Sequence, residues 1–178
     1  MNGGRGLLGI DGYEPEWQYS ARALAAAHRA RFTRVLDRRL DDAWLMWDLE
    51  TGTWFAGGPV ILGFGDLNVE IAHRKFDECA ITWGQVDMTA PLDWPGIRLD
   101  WRSGTHPDLA GLRGRRLREV NVIERIMPSH WRPRVLHAVE LVLDDVRLAI
   151  YNALDENGIS TADEVNLPIG FWHRVPII

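Results

Sequence analysis

His73 has the most chemistry to offer in this 178-residue chain. An imidazole titrates near neutral pH, so it can act as a general base or ligate a metal. Asp77 and Glu78 follow at short spacing, and Asn152, Asp155 and Glu156 offer a second polar group further along. A histidine beside carboxylates is the minimum equipment of a small hydrolase or isomerase. Were the chain an enzyme, His73, Asp77, Glu78, Asn152 and Asp155 would be its candidate catalytic residues. The competing reading is architectural: His73 and Asn152 end strands by bonding backbone, while the acid pairs make turns. Cys79 is open to the same two readings, as a nucleophile near His73 or as a small buried hydrophobe.

Other chemistries lack their residues. A single cysteine excludes an intramolecular disulfide framework and multi-cysteine metal sites. Gly3-Gly4-Arg5-Gly6 precedes no strand–helix unit, no Lys-Ser/Thr follows a glycine run, and His-Glu-x-x-His is absent. His106, His130, His137 and His173 lie on separate segments. No cofactor and no metal are therefore expected. A net charge of -5 and a pI near 5.7 argue against general nucleic-acid binding. All basic residues but Lys75 are arginine, a bias expected of a GC-rich bacterial genome. No apolar run approaches the roughly 20 residues of a membrane span, and no signal-peptide pattern opens the chain. The expected location is the cytoplasm.

Nine tryptophans form the other conspicuous resource. Trp94, Trp101 and Trp131 fall in proline-rich stretches, where they would form a recognition surface or cap the ends of a β core. Arg115 and Arg116 open the second half of the chain and would bind an anion or an acidic partner, or sit as solvated strand edges.

These groups need elements to hold them. Residues 1–14 are glycine-rich and read as a flexible arm. Pro15 begins a helical pattern running to about Phe32, with Trp17, Leu24, Ala27 and Phe32 inward. The period then changes to two. Val60, Leu62 and Phe64 alternate, Gly65-Asp66 turns, and Val69, Ile71 and His73 alternate on one face. Residues 87–112 read as a connector, with a short helix opening at Pro107. Alternation resumes at Leu117, then over Val139, Leu141 and Leu143, and over Val146, Leu148 and Ile150. Asp155-Glu156-Asn157-Gly158 reads as a turn. The tail, 166–178, is too apolar to stay free and is expected to dock on its own β core, at best as an edge strand because of Pro168 and Pro176.

The two strand blocks align with each other. Arg38-Arg39-Leu40 lies over Arg115-Arg116-Leu117, Val60–Asp66 over Val139–Asp145, and Phe76-Asp77-Glu78 over Leu154-Asp155-Glu156. The expected fold is α+β and mainly antiparallel β: an N-terminal helix, then two tandem β-meander units, 35–86 and 113–165, packed as one domain spanning 15–178.

The run Trp44–Asp48 with Gly52, Trp54-Phe55 and Pro59-Val60, then Glu70–Glu78 and later Asn152–Gly158, resembles bacterial proteins without an assigned activity, over roughly residues 12–160. The resemblance transfers no catalytic residue. In size, acidity and repeated hairpins the chain also resembles the small immunity-type proteins of bacterial toxin systems. The expected function is non-enzymatic: binding another protein as an accessory or immunity-type factor, with homodimerisation open. The enzyme centred on His73 and Asp77 is the alternative.

Overall fold

The computed structural model describes residues 6–127, 134–161 and 171–178. The expectations for His130, Trp131 and Pro168 lie outside the described residues. The architecture is α+β, with one N-terminal helix and two antiparallel sheets.

Helix α1 spans Ala21–Val35. It starts later than its sequence pattern suggests, because Ser20 Oγ caps the Ala23 N–H at 3.4 Å. Gln18 is also held in a backbone bridge to Cys79. Trp17 therefore precedes the helix, and Ala27 faces solvent.

The first sheet comprises β1 (Asp42–Asp48), β2 (Thr53–Trp54), β3 (Val60–Phe64), β4 (Leu67–Arg74), β5 (Glu78–Trp83) and β6 (Leu99–Ser103). β1 pairs β3 through Asp42–Trp44, β2 through Trp47 and Asp48, and β6 along Trp44–Asp48. The second sheet comprises β7 (Leu117–Ile126), β8 (Arg134–Leu143), β9 (Val146–Asn152), β10 (Asn157–Ser160) and β11 (Phe171–Pro176), in the order β10-β9-β8-β7-β11. A four-residue helix, α2 (Pro107–Ala110), opens where the sequence places it, with His106 Nδ1 accepting the Asp108 N–H. Both two-residue hairpins need a left-handed residue, supplied by Gly65 at φ 70° and Asp144 at φ 52°. No helix among the described residues is long and apolar enough to cross a membrane.

Alternation does what period two demands. Val60, Leu62, Val69 and Ile71 of the first sheet meet Val139, Leu141, Leu148 and Ile150 of the second, all fully buried in one cluster. Leu24, Phe32 and Val35 of α1 belong to the same cluster. The bonds between the blocks are reciprocal. Arg39 donates to the Gly114 carbonyl and Arg116 to the Asp37 carbonyl; within each block, Arg38 pairs with Asp66 and Arg115 with Asp145.

Three expectations are corrected. The arm is not loose over its described part. Ile10 and Tyr13 are buried with Met46, Ile61, Leu99 and Trp101, so residues 6–13 cover the outer face of the first sheet. The connector contains a strand: in β6, buried Leu99 and Trp101 alternate with exposed Asp100 and Arg102. Asn157-Gly158 is not a turn but the start of β10, the turn lying at Ala153–Glu156. There the glycine serves contact, since a Cβ on it would stand 2.2 Å from the Tyr151 ring. The tail docks on its own fold, and it does so as edge strand β11 along β7, with Ile177 fully buried.

Candidate functional site

The end of β4 and the ends of β9 and β10 meet where the two sheets converge. Within the sheets, His73 opposes Cys79 and Asn152 opposes Asn157. Across the junction, Asn157 Oδ1 accepts from the His73 backbone N–H at 2.9 Å and lies 3.0 Å from His73 Nδ1. Its Nδ2 donates to the carbonyls of Gly58 at 2.8 Å and Ala56 at 3.3 Å. Asn152 Nδ2 donates to the Arg74 carbonyl at 3.4 Å, and Asp155 Oδ1 accepts the Lys75 N–H at 2.5 Å. The fold thus brings His73, Asn152 and Asp155 together, through an asparagine that sequence reasoning put in a turn.

The cluster is shut. His73 is 2% exposed, and burial drives its pKa down to about 4 against the Asn157 hydrogen bond, so the ring is neutral. With Oδ1 as acceptor, Nδ1 carries the proton and the buried Nε2 is left without a partner. Neither ring nitrogen meets a carboxylate. Burial opposes the charge on Glu78, but hydrogen bonds from Lys75, Arg74 and Tyr19 prevail and lower its pKa to about 2. Asp77 is buried and has a polar interaction. Cys79 is fully buried, and desolvation raises its thiol pKa well above the usual value, which keeps it protonated and inert. This geometry clasps two sheets together. It supplies no oriented base and no reachable nucleophile.

Directly outside the clasp the surface changes character. The two turns that it bonds together carry Phe76, 49% exposed, and Leu154, 79% exposed. Tyr19, 57% exposed, adjoins them through its hydrogen bond to Glu78. These are the three most exposed large apolar side chains among the described residues. Trp17 lies beside them, with the Arg74 guanidinium 4.0 Å above its ring. The turns also hold left-handed backbone: φ is 50° at Lys75, 66° at Leu154 and 79° at Asp155. A leucine there costs about 1–2 kcal/mol that asparagine or glycine largely avoids. Sequence reasoning did not single out Phe76 or Leu154. The usable signal was their alignment, an apolar residue at the same turn position of both strand blocks.

The residues expected to bind a partner lie elsewhere. Trp101 is buried in β6. Trp94 is half-buried, its ring tilted against Phe55 at 5.5 Å. Arg115 pairs with Asp145 and donates to the Gly111 carbonyl, and Arg116 donates across to the Asp37 carbonyl of the first block, so both are engaged within the fold. Glu70, which the sequence puts on an outward face, is fully buried beneath the arm. It accepts from Thr82 Oγ1 at 2.7 Å and from the Gln85 N–H at 3.1 Å, and burial raises its pKa. No group of three or more His, Cys, Asp or Glu is arranged to hold a metal among the described residues.

No family model matches the chain, no curated protein matches it, and no solved structure matches it.

Proposed function

We propose that this chain is a non-enzymatic protein-binding module that docks its partner on the joined turns carrying Phe76 and Leu154. The observation behind this reading is Leu154: a large apolar side chain, 79% exposed, at φ 66°, where folding alone favours a small polar residue or glycine. A residue that weakens the fold and wets an apolar surface is explained by a surface that becomes buried on binding. Phe76 and Tyr19 widen the patch, and Arg74, Lys75 and Asp155 ring it with charge, an apolar centre with a polar rim. The same reading takes the two strand blocks as copies of one unit, which makes Phe76 and Leu154 counterparts. The reciprocal arginine bonds support this. The partner is a protein in the same compartment, taken to be the cytoplasm, in an accessory or immunity-type pairing. The sealed, neutral His73 lends no support to the enzyme alternative.

The test is affinity capture from the source cells with wild type and with Leu154→Asn/Phe76→Ser. We expect a defined partner to be lost with the double variant while thermal stability is kept or raised. Equal capture by both proteins would remove the turn face from the interface.

A further inference from the structure

Helix α1 carries Arg22, Arg29, Arg31 and Arg34 and no acidic residue. None of the four has an ion pair among the described residues. Most of the other arginines are engaged: Arg38, Arg74, Arg118, Arg147 and Arg174 hold carboxylates, while Arg39 and Arg116 hold carbonyls. A chain of net charge -5 has thus gathered unpaired cations on one helix.

Two of them border a groove. One cleft, about 230 Å³, is lined by Arg31, Arg34, Leu67 and Trp83. A second, about 350 Å³, shares Arg31 and continues past His28 and Thr82 to Glu14 and Glu16. Trp83 is fixed by an edge contact with Phe32 at 4.8 Å and donates from Nε1 to His28 Nδ1 at 3.2 Å. That bond leaves the His28 proton on Nε2 as a neutral donor. The groove is therefore cationic at one end, over an apolar floor of Leu67 and Trp83, and anionic at the other.

We infer that this groove is a second interaction site, one that takes an extended segment of a protein partner. A carboxylate of the segment sits between Arg31 and Arg34, its neighbouring apolar side chain lies on Trp83, and a basic residue reaches Glu14 and Glu16. Guanidinium groups suit carboxylates through paired hydrogen bonds. Charge complementarity sets the class of occupant. A nucleic acid carries a negative charge about every 1.7 Å. Glu14 and Glu16 at the far end would repel it. A peptide can alternate its charges to match. The site is separate from the turn face and does not depend on it.

The experiment pans a phage-displayed random dodecapeptide library against the full chain, then measures the synthetic peptide of the dominant clone by fluorescence anisotropy. Enriched sequences should combine Asp or Glu with an adjacent apolar residue. Arg31→Ala/Arg34→Ala should weaken binding at least tenfold. Arg22→Ala/Arg29→Ala, with the same change in charge, should weaken it less than threefold. Leu154→Asn/Phe76→Ser should leave it unchanged. The inference is overturned by any of four results: no enrichment, enriched peptides without acids, equal loss from both arginine pairs, or tighter binding of a 20-nucleotide duplex through Arg31 and Arg34.

Discussion

Asn157 shows how much one amide can hold. Its two polar atoms serve His73, Ala56 and Gly58, which belong to the other sheet or the approach to it. Replacing it with a near-isosteric leucine leaves the Gly58 carbonyl and the His73 N–H without this partner, each costing about 1–3 kcal/mol, while the Ala56 carbonyl keeps the backbone N–H of residue 157. Asn157→Leu should therefore lower unfolding free energy by at least about 2 kcal/mol in a denaturant titration; Asn157→Asp, which turns a buried acceptor oxygen toward the Gly58 and Ala56 carbonyls, should lose at least as much. An equal, small loss in both would deny Asn157 the role of clasp. The sequence did disclose that His73 points inward, because Val69 and Ile71 share its face. It did not disclose Asn157. An Asn-Gly pair is a local turn signal, whereas the bonds of Asn157 span 84 to 101 residues. His73 drew attention for a reactivity that burial then removed.

At the level of elements, the alternating hairpins were legible and their edges were not. β3, β4, β8 and β9 follow from strict period two, since either face out of register would expose four apolar side chains at once. β6 and β11 are five and six residues long; β6 buries only Leu99 and Trp101 between charged residues, and β11 carries His173, Arg174 and Pro176 with only half-buried Trp172 and Val175 between them. Their order comes from an open strand edge, on β1 or β7, that lies far off in sequence. The arm escaped notice for a similar reason: glycines make it look free, but Ile10 and Tyr13 have a tryptophan-lined sheet face to cover. Deleting residues 171–178 removes Ile177 from the core and bares the β7 edge. The melting temperature should fall by the same amount at low and high protein concentration. A truncated chain of unchanged stability that shifts from dimer to monomer would instead make β11 an intersubunit element.

The molecule as a whole holds three histidines neutral by burial, His73 fully and His28 and His137 in part, and pH should show it. The pKa of His73 falls from 6.5 to about 4 on burial, and His137 and His28 are lowered to about 4 by the same cause. The unfolded chain therefore takes up protons first. Stability is fully present above about pH 6.5 and is lost as pH falls toward 4, by about 3 kcal/mol for the fully buried His73. Chemical denaturation between pH 7 and 4.5 should show this slope, flattened in His73→Gln; an identical slope in the variant would mean that the ring titrates alike in the folded and the unfolded chain. α+β architecture, a joint core and a closed junction are all consistent with a scaffold whose working surface lies outside the junction. Photo-crosslinking from that surface is the most direct test. With p-benzoylphenylalanine at position 154 in the source cells, irradiation should yield one discrete protein adduct. The same group at position 50, on the exposed turn after β1, should yield none. No adduct from position 154, or the same adducts from both positions, would contradict the assignment of the turn face as the binding surface.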